Sequence, residues 1–137
     1  RMLSSQTPTI VAKDGHVVLI TGSPGGRTII NTVICIVLNM LEFGMTLPDA
    51  VSAPRIHHQW FPDRLQLERM TSPPHAGLEG PLVSRGHQVL NRQSQGSAHS
   101  IAWQPELETW IGVADYRRGG RPAAINRAEL ENLSTSK

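Results

Sequence analysis

The stretch His16-Val-Val-Leu-Ile-Thr-Gly-Ser-Pro-Gly-Gly-Arg-Thr-Ile-Ile30 decides the fold. It opens as a β-branched apolar run, passes through a glycine-rich loop and enters a long apolar segment of helical character. The run reads as a buried strand and the segment as a buried helix. Chemistry belongs in the loop between them, Gly22-Ser-Pro-Gly-Gly26. Glycine has no Cβ, so the backbone there takes positive φ and approaches a ligand closely. The N–H groups of Gly25, Gly26 and Arg27 fall at or just before the helix start. The first amides of a helix lack internal acceptors and lie at its positive end. Such a loop suits a phosphate, a carboxylate or a developing oxyanion. It is not a phosphate loop of the form G-x-x-x-x-G-K-[ST], because the spacing is one residue short and Arg27 stands where Lys belongs. An oxyanion nest and a purely structural turn are equally compatible with these residues.

Upstream, Thr9–Lys13 reads as a strand, and Asp14-Gly15 is a strong hairpin signal. The strands pair antiparallel and are similar in length, so the chain before Thr9, with Ser4 and Ser5, returns towards Gly22–Gly26. The unbroken run Val17-Val-Leu-Ile20 predicts a strand covered on both faces. The following helix is expected over 27–43, with Gly44 as its C′ residue. Its polar or small positions Thr28, Asn31, Thr32, Cys35, Asn39 and Glu42 form one narrow stripe. The rest is apolar, which predicts a sandwiched helix with a further layer that this chain does not fully contain.

Downstream, a short helix is expected over 46–54, with Thr46 as N-cap and Pro48 in its first turn. Strands are expected at 55–60, Leu65–Glu68 and 88–92, and a helix over 76–85. Ser100-Ile-Ala-Trp103 should pair with Thr109–Val113 across the intervening turn. Six or seven strands with two or three helices make an α+β or layered α/β fold in one domain.

Composition excludes several classes. The chain has 137 residues, 39% hydrophobic, 18% charged and 4% aromatic, which is globular rather than disordered. The net charge is +2, and the basic residues are scattered rather than striped, so nothing marks a nucleic-acid surface. Cys35 is the only cysteine and reads as a small buried hydrophobe. No internal repeat, signal peptide or membrane-spanning run is visible. The opening on Arg1-Met2, shortly before a strand, reads as part of a longer protein.

The six histidines have no H-x-H or H-x-x-x-H spacing, and adjacent His57 and His58 would point to opposite faces of a strand. Hydrogen bonding is therefore favoured over metal binding. Asp115 with Arg117 and Arg118 reads as an ion-pair corner ahead of an anion site. G-x-S-x-G is absent, which removes the α/β-hydrolase elbow.

Four blocks carry a resemblance. Leu3-Ser-Ser-Gln-Thr-Pro-Thr-Ile-Val11, Gly22-Ser-Pro-Gly-Gly26, Ala53-Pro-Arg-Ile-His-His-Gln-Trp60 and Gly112-Val-Ala-Asp-Tyr-Arg-Arg-Gly119 resemble, in order and spacing, the γ-glutamyltranspeptidase family. The match covers about residues 2–120, corresponding to the C-terminal part of that family's small subunit, and leaves 121–137 as a poorly constrained tail. It implies an N-terminal-nucleophile hydrolase fold, an αββα sandwich present here only in part. It also implies self-cleavage of a precursor and attack of a new N-terminal Thr on a γ-glutamyl amide. A γ-glutamyl-enzyme forms and is resolved by water or by an acceptor amino acid or peptide.

Carried over by position, Ser4 and Ser5 match the serines that hold the glutamyl α-carboxylate, and Gly25 and Gly26 match the oxyanion-hole glycines. No cofactor or metal is implied. The nucleophile is not matched in this chain, which alone is expected to be inactive. The implied partners are glutathione-type γ-glutamyl compounds, the large subunit and the N-terminal part of the small subunit. The implied location is periplasmic, secreted or on the outer cell surface. Tyr116 stands where the family commonly has Pro. Two alternatives are a related amidase of the cephalosporin-acylase type and a non-catalytic homologue or fragment.

Overall fold

A computed structural model describes residues 7–69 and 71–123. Strand β1 (Thr9–Lys13) and strand β2 (His16–Gly22) form the expected hairpin, pairing Thr9 with Thr21 and Val11 with Leu19. Asp14 and Gly15 at its tip have φ of 51° and 79°, the pair of positive values that a two-residue type I′ turn requires. Of the later strands, β3 (Ile56–His57), β4 (Leu65–Glu68) and β5 (Val89–Arg92) lie apart from β6 (His99–Gln104) and β7 (Thr109–Val113). The antiparallel pairings of β1, β2, β6 and β7 build a four-stranded sheet in the order β1-β2-β6-β7. The others make a three-stranded sheet in which β3 runs antiparallel and β5 parallel to β4. Parallel pairing requires a crossover, supplied by the chain that carries the short helix α3 (Glu79–Val83).

Helices α1 (Ile29–Leu41) and α2 (Leu47–Ser52) pack on one face of the larger sheet. The core is aliphatic: Leu19 and Ala102 from the sheet, Ile36 from α1, Leu47 and Val51 from α2, and Ala98. Thr46 caps α2, its Oγ1 accepting from the Asp49 amide at 3.3 Å. Hydroxyl N-caps of this kind stabilise a helix by about 1 kcal/mol.

Two expectations need correction. The run Val17–Ile20 is covered on one face, not both. Leu19 and Thr21 point to the helices and are buried, whereas Ile20 lies in an exposed cross-strand row with Ile10 and Ile101. Only one helical layer is present among the described residues, so the other face, with Trp110 and Ile10 at 46% and 66% exposure, stands open. The expected 76–85 helix is reduced to α3, because Gly77 at φ 82° and a chain of turns through His75 interrupt it. Similarly, the 55–60 strand stops after His57: Gln59 and His58 bond back onto their own loop, and Trp60 takes φ 66°.

Helix α1 has an unusual distribution of polarity. Its polar stripe faces inward: Asn31 meets His57, the Asn39 amide donates to the Ala50 carbonyl, Thr32 is buried and the Cys35 thiol points to the Ile56 carbonyl. Its solvent side carries Ile30, Ile34, Leu38 and Leu41, all exposed. Among the described residues no helix is long and apolar enough to cross a membrane.

Candidate functional site

The Gly22–Gly26 loop leaves the end of β2 beside the start of β1, as the hairpin predicts. A Cβ on Gly22 would lie 3.8 Å from the Pro8 Cα. Chain entering β1 therefore passes the loop. Ser4 and Ser5, the expected carboxylate ligands, lie outside the described residues.

Gly25 and Gly26 have φ of 146° and 57°. The first value is open only to glycine, and a Cβ there would come within 2.8 Å of the Thr28 Oγ1. Gly25 turns its carbonyl inward, where it accepts from the Thr28 amide at 3.2 Å and from the Thr28 hydroxyl at 3.0 Å. The peptide N–H opposite that carbonyl, that of Gly26, is therefore turned away from Thr28. Among the described residues neither the Gly25 nor the Gly26 amide has an acceptor, and a Cβ on Gly26 would meet nothing within 4 Å. Two consecutive amides without an acceptor make a donor pair suited to an anion or oxyanion.

The loop is backed by the segment that leads into β6. Gly96 Cα lies 3.5 Å from the Cβ position of Gly25, and Gly96 itself has no room for a side chain against Thr32 and Ser23. Ser23 Oγ accepts from the Ser97 amide at 3.0 Å. This backing segment is anchored by a buried ionic cluster that the sequence showed only in part. Asp115 and Arg117 were expected to form an ion-pair corner, and they do, at 3.1 Å. Their further partners are Arg55 and Glu68. Arg55 donates to Asp115 Oδ2 at 2.7 Å, and Arg117 donates to Glu68 through two nitrogens, Nε at 2.7 Å and Nη2 at 2.5 Å. Arg118 is exposed and takes no part.

The cluster reaches the loop through its carboxylates. Glu68 accepts from the amides of Gln95 and Arg55, and Asp115 from those of Ala98 and Arg117. The two guanidiniums also donate to the carbonyls at the end of α2: Arg55 to Val51, Arg117 to Val51 and Ala53. Four charges of zero net sum therefore tie α2, β4, the 95–98 segment and the chain after β7 together. Burial by itself raises both acids. The Arg117 guanidinium and its hydrogen bonds outweigh this for Glu68, while backbone amides and Arg55 do so for Asp115, so both carboxyls are held below their ordinary range. Burial lowers Arg55, and the like charge of Arg117 adds to that. Arg117 is raised, since its two carboxylate partners outweigh its burial.

Beside Gly25 a cavity of about 230 Å³ opens, lined by Arg27, Thr28, His57, Gln59, Gln66 and Arg92. His57 and His58 do diverge as expected. His58 pairs with Asp63 at the surface, whereas His57 is buried at 2% exposure. Burial lowers the His57 pKa, and the nearby Arg92 and Arg27 charges reinforce that, so the ring is neutral. The Gln59 amide donates to the Phe61 carbonyl, which turns its oxygen to His57 Nε2 at 2.9 Å. The neutral ring therefore carries its proton on Nε2; Nδ1 lies 3.0 Å from Asn31 Oδ1 and accepts from that side chain once the Asn31 amide is turned over to present its N–H. Among the described residues no group of three or more His, Cys, Asp or Glu side chains is placed to hold a metal ion.

Comparison with known proteins shows the family. Residues 1–125 match the family model for gamma-glutamyltranspeptidase. The chain is 44% identical over 117 residues to the glutathione hydrolase proenzyme of Escherichia coli, covering 85% of this chain and 20% of that protein. It is 31% identical to the acylase ACY 1 proenzyme of a Pseudomonas species, over 92% of this chain and 22% of that protein. Among solved structures, gamma-glutamyltranspeptidase from Pseudomonas nitroreducens complexed with L-DON superimposes with a TM-score of 0.79 at 30% identity, over 92% of this chain and 65% of that one. The chain belongs to the gamma-glutamyltranspeptidase family. Its two sheets and one helical layer are part of the N-terminal-nucleophile hydrolase sandwich found in those structures. It spans about a fifth of the length of the curated relatives it matches.

Proposed function

We propose that this chain supplies the oxyanion hole and the glutamyl-carboxylate subsite of a γ-glutamyltransferase or glutathione hydrolase. The observation that carries the reading is the pair of unclaimed amides at Gly25 and Gly26, held by a glycine-only backbone in a chain of this family. In the reaction, a threonine hydroxyl contributed by the rest of the full-length protein adds to the γ-carbonyl carbon. The carbonyl oxygen takes on negative charge, and the two amides receive it. The C–N bond then breaks, the amine leaves with a proton, and a γ-glutamyl ester remains. Water or an acceptor amine resolves it through the same oxyanion position. Ser4 and Ser5 hold the glutamyl α-carboxylate near the loop, a reading supported by the hairpin register that directs the chain before Thr9 there.

The remainder of the small subunit and the large subunit are the partners in this reading. Supporting it are the two apolar faces left open, the Ile10–Ile20–Ile101 sheet face and the outer side of α1. The periplasm, the medium or the outer cell surface is the location it implies.

The test uses the full-length protein and a chromogenic γ-glutamyl anilide. Turnover, with formation of a γ-glutamyl product when an amino acid is added, supports the assignment. Preference for an acyl group lacking the amino-acid carboxylate moves it to the acylase class, and inertness on both makes the protein non-catalytic. The 137-residue chain assayed alone is expected to release no chromophore.

A further inference from the structure

We infer that the cavity between the Gly25 loop and the small sheet is a second carboxylate subsite, which receives the C-terminal carboxylate of the peptide leaving group through Arg27 and Arg92. The inference rests on the function proposed above.

Three features of the cavity support it. First, among the described residues its lining contains two guanidiniums and no acid. The remaining polar groups are neutral: Thr28, Gln59, Gln66 and the uncharged His57 ring. Unlike the ionic cluster around Asp115, where charges cancel, this cavity keeps a net positive charge that favours an incoming anion.

Second, the two arginines differ in how they are held. Arg92 is fixed, its Nε donating to the Ser94 carbonyl at 2.9 Å and its Nη1 to Gln66 Oε1 at 2.6 Å. Its guanidinium is thus oriented before a ligand arrives. Arg27 is exposed and has no ion-pair or hydrogen-bond partner among the described residues. A pre-set guanidinium and a second, free one suit a planar carboxylate, which accepts paired N–H donors.

Third, the position fits the chemistry. Arg27 follows Gly26 directly, so an anion at Arg27 lies next to the reacting carbonyl rather than at a distant surface. The glutamyl α-carboxylate is assigned elsewhere, to Ser4 and Ser5. The leaving side of a γ-glutamyl peptide has its own carboxylate, on the C-terminal residue, and an anilide has none. About 230 Å³ accommodates the end of a short peptide but not a nucleotide or a folded partner. The subsite therefore gives selectivity for leaving groups, and for acceptors, that end in a free carboxylate.

The test uses two donors that differ in one charge: a γ-glutamyl dipeptide with a free C-terminus and the same compound as its C-terminal amide. In the full-length protein, kcat/KM for the acid should exceed that for the amide by about tenfold, the scale of one charge-assisted contact. In R27Q the preference should collapse to near unity through loss on the acid alone, and R27K should keep an intermediate preference. A wild type indifferent to the terminal charge overturns the inference, as does an R27Q variant that keeps the preference. Equal loss on both donors in R27Q also overturns it, by showing that Arg27 acts without regard to the terminal charge. A wild type that hydrolyses neither donor nor the anilide fails the proposed function itself, and the subsite falls with it.

Discussion

Replacing Arg117 by methionine should reveal how the buried ionic cluster is balanced. The Arg117 side chain is 1% exposed, and so is that of Glu68, its bidentate partner. Methionine keeps the unbranched stem and removes the charge with its five donors. Lost with them are both bonds to Glu68, the contact with Asp115 and those with the Val51 and Ala53 carbonyls. One cation, Arg55, is left facing two buried carboxylates. Stranding one partner of a buried pair costs about 3–5 kcal/mol, and most of that belongs to the Glu68 charge. E68Q should therefore be destabilising in the native background but neutral or stabilising in R117M, a coupling of about 2–3 kcal/mol. Urea unfolding of the full-length protein and its three variants provides the cycle.

The pH dependence gives a second sign. In the native protein Glu68 is depressed, so its contribution is fully present above its unfolded pKa of about 4.3. That contribution is lost as pH falls through the lower folded value. Without Arg117 the desolvation of Glu68 dominates and its pKa rises above the unfolded value. The R117M deficit should then be largest at neutral pH and narrow as pH falls towards about 4. Additive single mutants, or a deficit independent of pH, would refute the account of a stranded charge.

G25A should remove turnover in the full-length protein, because a Cβ at φ 146° is strained and meets Thr28 Oγ1 at 2.8 Å. Loss of one oxyanion donor typically lowers kcat by about 10²–10³; wild-type rates would exclude the assignment. Nitrogen-15 NMR of His57 should show a neutral Nε2–H tautomer at pH 7. Its folded pKa lies below the unfolded one, so the ring should cost stability as pH falls below about 6.5; a charged ring at neutral pH contradicts the lowering that its burial imposes. T46A should lower stability by about 1 kcal/mol with no effect on KM, since only the α2 cap is lost.

The hairpin was legible because Asp14-Gly15 states its turn chemistry locally, and the observed register confirms the 9–13 and 16–21 pairing. The Thr46 cap was legible for the same reason. Coverage of β2 was not: an unbroken apolar run shows that both faces are apolar, but not that this chain covers both. Arg55 and Glu68 were missed as partners because they meet Asp115 and Arg117 across a sequence separation of 49 or 60 residues. No local spacing encodes such a contact. One signal was available: Arg55 lies within the Ala53–Trp60 block, where a cation beside an apolar helix end needs a buried acid. The glycine pair was identified by type, but its donor character follows from the inward Gly25 carbonyl, a backbone detail fixed by Thr28.

The two apolar sides of α1 bear on how the complete protein folds. Its inner side buries Ile29, Val33 and Ile36 beside the inward-bonded Asn and Thr side chains, and its outer side is apolar as well, so it gains little from water on either side. In the function proposed above, other segments of the full-length protein cover the exposed Ile30, Ile34, Leu38 and Leu41. In that reading part of the folding free energy of this region lies in contacts outside this chain, and the full-length protein should melt in one cooperative transition rather than in separable blocks.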